Sequence, residues 1–375
     1  MESITRLIFT TVLSAGILLA LPAQAQQAKP GCMDPSASNY DPDATISNGS
    51  CIYSSVSYTP GNRIILPNTL QEISGAAYWQ GKIWALNDGG NPAALYALDT
   101  ATGAVTATVN FTGITNVDWE ALAQNDTAFF IGDVGNNAAG NRTNLRVYIV
   151  PKLLITGDAL QSIDVSSLGM LQFAYEDQED FTSQGGNSTR FDCESMIFFR
   201  DSLHLFTKNW VGNYAVHYVL PAVAGTADAV RLDSFYTGGQ LLTDAAVAAH
   251  DEIVFTSYSK AGQCQLLMLY GFGENKAFVT DANKRWIRLP SSLNIGQLEA
   301  VCFLNPVRGW LGSERLSVSL ITVSQRMYDL NTLDFILPFY RNQPNRFAEA
   351  GMLRYNTDLQ VYEAFDGNDW RPLHN

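Results

Sequence analysis

Short apolar stretches separated by polar turns recur between residues 72 and 330 and predict β-strands over this whole region. Five of the stretches share one pattern, in which a carboxylate is followed by small residues and then by an apolar run. These stretches begin at Glu72, Glu120, Glu194, Asp244 and Glu299. Each is followed by a polar turn and a second apolar stretch, which indicates a β-hairpin. Helical periodicity over a window of about 11 residues is hard to find after residue 25.

The spacing of these hairpins predicts the fold. Repeats of roughly 40–50 residues with about four strands each are typical of propeller blades. We therefore predict an all-β protein built around a five-bladed β-propeller, with a sixth, degenerate blade as the alternative. The strand-like residues 63–67 are expected to complete the last blade and close the ring, and the polar residues 176–190 are expected to form an insertion loop.

Composition excludes two classes of protein. Hydrophobic residues make up 46% of the chain and charged residues 16%, which argues against intrinsic disorder. The formal net charge is −13, so the basic surface that nucleic acids require is missing.

Residues 1–25 have the pattern of a secretory signal peptide. Arg6 is followed by an apolar run and then by the small-x-small sequence of residues 23–25. A membrane anchor is the rival interpretation, but the run is shorter than the ~20 residues that a span needs. We expect a secreted, cell-surface or periplasmic protein with no transmembrane segment in its mature form.

Residues 26–56 are predicted to be a small module stapled by a disulfide between Cys32 and Cys51, because so short a segment cannot build a core of its own. The acidic and amide residues between these cysteines suit either a calcium site or Asx-Pro turns, and we favour the turns. The pattern Gly-Cys-x-Asp-Pro-x-Ala-x-Asn-Tyr-Asp-Pro-x-Ala resembles a module of secreted and surface proteins of Bacteroidetes-type bacteria. That resemblance implies a bacterial extracytoplasmic location.

The carboxylates that open the five repeats are predicted to meet at the hub of the propeller, which spans residues 57–335. Since the first strand of each blade lines the central channel, the five acids would form a ring. Carboxylates this close repel one another by several kcal/mol in gross Coulomb terms, so some of them must be protonated, pair with a basic residue or bind a metal ion. We predict a Ca²⁺ ion as cofactor, held by the following residues: Glu72, Glu120, Glu194, Asp244 and Glu299. The alternative is a solvated polar rim.

Polar residues at the ends of the second strands are expected on the same face as this ring. Glu120 and Asp133 are predicted to be catalytic, as metal ligands or as the base. A small anionic substrate is expected to contact a further set of residues: Asn87, Asp88, Asn136, Asn137, Arg142 and Lys208. Turn formation is the competing explanation for the Asn and Asp residues of this set.

The motifs Glu72-x-Ser74-Gly75, Asn87-Asp88, Asp118-Trp119-Glu120 and Gly132-Asp133 resemble those of secreted calcium-dependent propellers. These are the five-bladed calcium-activated nucleotidase (apyrase) type, the esterase-like phytases and, more loosely, the arylesterase and gluconolactonase propellers. The resemblance implies that the acid opening each inner strand faces a central calcium. Asp244 departs from the pattern, since most blades carry Glu at that point.

Residues 336–375 form a separate predicted β-module of period-two strands. The pattern Gly-Met-x-x-Tyr-Asn-Thr, followed by a Phe-Asp-Gly-x-x-Trp sequence, resembles the ends of phage tail fibres, which implies surface attachment or self-association. Two functions follow from the whole sequence. One is a calcium-dependent hydrolase of a phosphoester, nucleotide or lactone, and the other is a non-catalytic surface propeller that binds a glycan or a protein.

Overall fold

The computed structural model describes residues 28–249, 252–332, 353–356 and 361–373. The predicted signal peptide lies outside these residues. Nearly every regular element is a β-strand, and the one α-helix in the described ranges is α1 (Ser292–Ile295). None of the described helices has the length and apolarity needed to cross a membrane.

The N-terminal module is held by a disulfide and by one buried carboxylate. Its two short strands, β1 (Pro30–Gly31) and β2 (Ile46–Ser47), pair in parallel, and the predicted bond between Cys32 and Cys51 is confirmed. Asp34 accepts hydrogen bonds from the backbone and hydroxyl of Ser36 and, at 2.9 Å each, from the hydroxyls of Tyr53 and Tyr270. Because Tyr270 belongs to the propeller, Asp34 fastens the module to it.

Two strands lead from this module into the propeller: β3 (Val56–Ser57) and β4 (Gly61–Ile65). A 3-10 turn at Asn68–Leu70 follows. Blade 1 then contains four antiparallel strands: β5 (Ile73–Trp79), β6 (Lys82–Asn87), β7 (Ala94–Asp99) and β8 (Val105–Thr112).

Blade 2 has four strands of its own, and the chain between its third and fourth strands adds one further strand to blade 1. Its first three strands are β9 (Trp119–Gln124), β10 (Ala128–Asp133) and β11 (Arg146–Pro151). The chain then passes through the 3-10 turn Lys152–Leu154, and β12 (Leu160–Asp164) pairs in parallel with β8 of blade 1. After a second turn, Val165–Ser167, β13 (Gly169–Tyr175) forms the outer edge of blade 2.

Blades 3 and 4 repeat the hairpin pattern. Blade 3 contains β14 (Cys193–Phe199), β15 (Ser202–Thr207), β16 (Tyr214–Pro221) and β17 (Gly225–Tyr236). Strand β17 also pairs with β13, so blades 2 and 3 share one eight-stranded sheet. Blade 4 contains β18 (Gln240–Ala249), β19 (Glu252–Ser259), β20 (Cys264–Tyr270) and β21 (Asn283–Arg288), with β3 as its outermost strand.

Blade 5 closes the ring with a strand from the start of the propeller. Its inner strands are β22 (Gln297–Phe303) and β23 (Arg308–Glu314), followed by the small hairpin β24 (Leu316–Val318) and β25 (Ile321–Val323) and by β26 (Arg326–Asn331). Strand β4 pairs with β26 and completes the sheet, which confirms the predicted closure and the five-bladed count. Strand β4 is thus the outermost strand of blade 5, so a segment from the start of the propeller completes its last blade.

The core is divided into five apolar clusters, one between each pair of neighbouring blades. The inner strands β5, β9, β14, β18 and β22 contact one another in turn around the channel. These strands are apolar on both faces because each is packed between two neighbouring blades, which explains their runs of Ala, Val, Ile and Phe.

The C-terminal module is a separate antiparallel sheet of three strands: β27 (Leu353–Asn356), β28 (Val361–Phe365) and β29 (Trp370–Pro372). Its turn is closed by Asp366, which accepts bonds from the backbone of Asn368 and Asp369 and from Arg371. The all-β architecture, with one small module before the propeller and one after it, agrees with the predicted fold class.

Candidate functional site

Each inner strand carries a β-bulge at the same level of the channel. In every blade, pairing between the first and second strands skips one residue of the first strand. The skipped residues are Ser74, Glu120, Glu194, Thr243 and Glu299. A bulge re-aims one side chain and often lies beside a functional site. The ring at this level therefore contains three glutamates, one serine and one threonine.

The ring of five acids predicted from the sequence is thus only partly assembled. Glu120, Glu194 and Glu299 lie at the bulge, whereas Glu72 precedes β5, is exposed and accepts a 2.6 Å bond from Asn91. Asp244 lies one residue past its bulge and is fully buried. Its carboxylate accepts backbone bonds from Ala245 and Val301 at 2.8 and 2.7 Å.

The serine and threonine of the ring serve a structural purpose. Ser74 donates a 2.8 Å bond to the carbonyl of Trp119, the residue before the bulge of the next blade. Thr243 makes the matching 2.6 Å bond to the carbonyl of Leu298. These two hydroxyls tie neighbouring inner strands together at the level of the three glutamates.

Four of the five bulge residues, all except Thr243, line a cavity of about 220 Å³ at one end of the channel, which we call the acidic cavity. Five carboxylates and one ammonium group line it together with neutral polar and aromatic side chains. The lining residues are Ser74, Asp88, Glu120, Asn137, Asn187, Glu194, Lys208, Trp210, Tyr258, Gln297, Glu299 and Glu314. Acidic groups thus outnumber basic groups five to one in this confined space.

Hairpin register explains which second-strand residues reach the cavity. The residues that pair just before each bulge are Asn87, Asp133, Thr207, Ser257 and Ser313. The residues that follow these directly in the sequence are Asp88, Val134, Lys208, Tyr258 and Glu314. All of them except Val134 line the cavity. Glu314 and Tyr258 were not among the predicted site residues. The sequence signal for them is their place directly after Ser257 and Ser313, at the polar ends of two second strands.

Lys208 is the one basic residue among the described residues that line the acidic cavity. Its ammonium group donates to Glu194 and, at 2.9 Å, to the hydroxyl of Tyr258, and it lies 5.1 Å from the ring centre of Trp210. Burial opposes the charge of Lys208, but the carboxylates of Glu194 and Glu299 outweigh burial and raise the pKa of Lys208 well above its ordinary value. Lys208 is therefore a permanent internal cation.

A second group of carboxylates lies on the blade 1 and blade 2 side. Oxygen atoms of Asp88, Asp118 and Glu120 all lie within 4.8 Å of one another. A Cβ atom on Gly135 would come within 2.5 Å of the Asp118 carboxylate, so only glycine lets this loop pack so closely against Asp118. Oxygens bound to one Ca²⁺ at about 2.3–2.6 Å are separated by at most about 5 Å. The three carboxylates therefore fit a single divalent cation.

The electrostatics of this group agree with that fit. Burial, followed by the carboxylates of Glu194 and Asp88, raises the pKa of Glu120 well above its ordinary value. Burial, followed by Asp88 and Asp192, raises the pKa of Asp118 to about 7. Without a cation, the group must hold protons at neutral pH to relieve repulsion.

Several residues predicted to bind substrate lie behind the cavity instead. Arg142 donates at 2.6 Å to Asp133, at 2.6 Å to the carbonyl of Gly135 and at 3.1 Å to Asn144. The guanidinium group of Arg142 is therefore occupied by these bonds, which stabilise the loop that follows β10. Asp133 is fully buried, and its carboxylate accepts hydrogen bonds from Arg142 and from the backbone N–H of Asp118.

The predicted asparagines are divided between the cavity and its support. Asn137 lines the acidic cavity, as do Asp88 and Lys208. Asn136 is buried and bonds to the carbonyl of Phe191, with its backbone donating to Asp192 at 2.7 Å. Asn87 is buried and donates to the carbonyl of Thr69 at 2.7 Å. The geometry thus places Asn136 and Asn87 in the scaffold.

The two histidines that the structure describes lie away from this site. His204 and His217 are fully buried and lie 2.7 Å apart between their Nδ1 and Nε2 atoms, and His217 is 2.7 Å from Asp233. Neither lines the acidic cavity. His250 and His374 lie outside the described residues.

The charge imbalance predicts an inverse pH dependence of stability in the absence of divalent cations. Burial is the largest cause that raises the pKa of Glu299 to about 6, of Asp118 to about 7 and of Glu314 to about 9. An acid whose pKa is raised by folding favours the folded state below its ordinary pKa, and that contribution is lost as pH rises through the raised value. In EDTA, the melting temperature should therefore fall between pH 5 and pH 9.

Added Ca²⁺ should reverse this fall, because a bound cation replaces the protons. Differential scanning calorimetry at several pH values, with EDTA and with Ca²⁺, measures both effects. A melting temperature in EDTA that rises steadily from pH 5 to pH 9 would contradict the assignment of raised pKa values to this cavity.

Comparisons with known proteins add little to this geometry. No protein-family model matches the chain, and no curated protein matches it.

Solved structures that are similar to this chain match it only at low identity. A putative oxidoreductase (glucose dehydrogenase) from Thermus thermophilus has 9% identity and a TM-score of 0.38, over 72% of this chain and 99% of that chain. A putative 6-phosphogluconolactonase from Bacteroides uniformis has 11% identity and a TM-score of 0.33, over 80% and 78% of the two chains. The WD40 β-propeller domain of Doa1 has 10% identity and a TM-score of 0.29, over 68% and 65%. The five-bladed assignment of this chain rests on its own strand pairing.

Proposed function

We propose that this protein is a secreted, calcium-dependent hydrolase whose active site is the acidic cavity. One observation supports the proposal above all others. Asp88, Asp118 and Glu120 bring carboxylate oxygens within 4.8 Å of one another beside a cavity lined by five acids. The nature of the donors favours a hard cation, since all three are carboxylates. The disulfide between Cys32 and Cys51 agrees with an oxidising location outside the cytoplasm.

Asp88, Asp118 and Glu120 would hold the ion, with Glu120 the buried member of the set. A bound Ca²⁺ would supply positive charge that polarises a phosphoryl or carbonyl oxygen of the substrate. Lys208 would place a second positive charge across the cavity, where it would contact the anionic part of the substrate. The sequence-based role of Glu120 as a metal ligand is therefore retained in this proposal.

Glu299 is the best candidate for the general base. Burial is the largest effect that raises its pKa to about 6, which leaves it ionised at neutral pH yet basic enough to accept a proton from water. Gln297 donates to it at 3.3 Å and orients the carboxylate. Asp133, predicted from the sequence to be a metal ligand or the base, does not line the cavity and accepts a hydrogen bond from Arg142. In this proposal Glu299 takes the role first given to Asp133.

Turnover of a small substrate panel tests the proposal. Nitrophenyl phosphate, nucleoside diphosphates and simple lactones should be assayed with Ca²⁺ and with EDTA. We expect hydrolysis of one class that requires Ca²⁺. Glu299→Gln should lower kcat by about 10²–10⁴-fold, the usual contribution of a general base, and should keep the calcium-induced rise in melting temperature.

Glu179→Gln is the matched control, because it makes the same chemical change at an exposed position in the insertion loop. Equal loss of activity in both variants would contradict a specific role for Glu299. A calcium-induced melting shift with no turnover of any substrate would instead support a non-catalytic surface propeller that binds a glycan. The small modules at both ends of the propeller favour that second function, since such modules serve attachment or self-association more readily than catalysis.

A further inference from the structure

A second, larger cavity adjoins the acidic cavity on the side of blades 4 and 5. Its volume is about 590 Å³, within the range of sites that bind small molecules. Four residues line both cavities: Asn187, Trp210, Tyr258 and Gln297. The two cavities are therefore neighbours that share these four lining residues.

The wall surface of this second space is mostly apolar, so we call it the apolar groove, although polar side chains also line it: Asn187, Ser259, Lys260, Ser292 and Gln297. Leu241, Leu293, Leu316 and Val318 line it together with Ala261. Leu293 and Val318 are each 47% exposed. The groove also borders the hairpin of β24 and β25, where Leu320 is completely exposed. Large exposed apolar side chains grouped around a cavity are typical of a binding surface.

The shared wall is held rigidly by bonds to charged residues. The indole nitrogen of Trp210 donates to Asp192 at 2.7 Å, and Lys260 donates to the Trp210 carbonyl at 2.8 Å. The hydroxyl of Tyr258 accepts a 2.9 Å bond from Lys208. The polar atoms of these aromatic residues are thus tied to charged partners. The ammonium group of Lys208 also lies over both rings, and both aromatic residues line the groove.

We propose that the apolar groove binds the aliphatic chain of a substrate whose phosphoryl head group occupies the acidic cavity, which makes the substrate an alkyl phosphoester. The head-group part of this inference rests on the proposed function. The mostly apolar wall surface favours a hydrocarbon chain, because binding there removes the apolar area of both from water. Lys208 and the carboxylate group at Asp88, Asp118 and Glu120 lie where the charged head would be.

Binding of two chain-length series tests this inference by isothermal titration calorimetry. The first series is ethyl, butyl, hexyl and octyl phosphate in the presence of Ca²⁺. The second is butanol, hexanol and octanol in EDTA, which needs neither the metal nor a charged head. For both, we expect the dissociation constant to fall about three- to fourfold for each methylene that enters the groove. In the presence of Ca²⁺, inorganic phosphate should bind about as weakly as ethyl phosphate, the shortest member of the first series.

Leu293→Lys and Val318→Lys place a charge on the groove wall at half-exposed positions, so both variants should fold. Each should remove the chain-length dependence in both series and leave the affinity for inorganic phosphate within about twofold of the original. Leu153→Lys is the control, since Leu153 is 86% exposed and does not line the groove.

The outcomes separate this inference from the proposed function. Chain-length dependence that is lost in both groove variants but kept in the control supports the groove. If the wild-type protein binds inorganic phosphate with Ca²⁺ but shows no gain with chain length, the groove proposal is overturned and the hydrolase proposal stands. If neither Ca²⁺ nor phosphate binds but the alcohols show the gain, the groove stands and the hydrolase proposal fails.

Discussion

Glu120→Gln is expected to weaken Ca²⁺ binding by about a hundredfold or more, equivalent to about 2.7 kcal/mol of binding free energy. Glutamine keeps the size of the side chain and one oxygen but removes the charge of the buried carboxylate among the three that approach within 4.8 Å. The rise in melting temperature on adding Ca²⁺ should disappear in this variant. Calorimetric titration with Ca²⁺ and thermal unfolding measure both effects.

The same substitution should stabilise the protein when no cation is present. Burial and the carboxylates of Glu194 and Asp88 disfavour the charge on Glu120, as the raised pKa of this group reflects. Removing the charge therefore relieves repulsion, and Glu120→Gln should melt at a higher temperature than the wild-type protein in EDTA at pH 8. Glu179→Gln, with the same change on the exposed insertion loop, should alter neither quantity.

This opposite response with and without Ca²⁺ distinguishes a metal ligand from a structural residue. A glutamate that merely supports the fold would lose stability under both conditions when replaced. Unaltered Ca²⁺ affinity in Glu120→Gln would rule out the proposed coordination by this residue.

Lys208→Met should lower the free energy of unfolding by about 3–5 kcal/mol at pH 8, the usual cost of removing one partner of a buried ion pair. Lys208 and Glu194 each have 3% of their side chains exposed and are directly bonded. Methionine fills a similar volume but leaves the carboxylate of Glu194 without its counter-ion. Denaturant unfolding in EDTA measures the loss.

A double-mutant cycle isolates the ion pair. Lys208→Met combined with Glu194→Gln should recover most of the lost stability, because the uncompensated charge is then gone. The loss in Lys208→Met should also be smaller at pH 5 than at pH 8, since burial raises the pKa of Glu194 and the unpaired carboxylate takes up a proton at the lower pH. Lys276→Met, at an exposed lysine outside the cavity, provides the control. Additive losses in the double variant would show that the two residues are not coupled.

The pattern of apolar stretches was sufficient to predict the blades. Each predicted first strand corresponds to an inner strand, from β5 to β22, and residues 63–67 overlap the closing strand β4. The disulfide pairing was also predictable, because Cys32 and Cys51 bracket a segment too short to form a core. These features depend on local alternation of side chains or on short sequence separation, both of which can be read along the chain.

The membership of the site was not predictable in the same way. Glu72 and Asp244 occupy the expected place in the pattern, but the bulges put Ser74 and Thr243 at the level of the three glutamates. Asp244 lies one residue past its bulge, and because side chains in a strand alternate between opposite faces, an error of one residue changes the direction in which a side chain points. Glu72 lies two residues before its bulge and outside β5. A bulge is visible only when two strands are paired.

The sequence by itself thus determined the circular arrangement of strands and the face on which the acids gather. Tertiary structure decided which acids meet, that Arg142 is engaged by Asp133 and Gly135, and that an apolar groove adjoins the acidic cavity. The physical reason is that strand formation follows from neighbours along the chain. The charges and walls of the site come from five blades, and their spacing is fixed only when the ring closes.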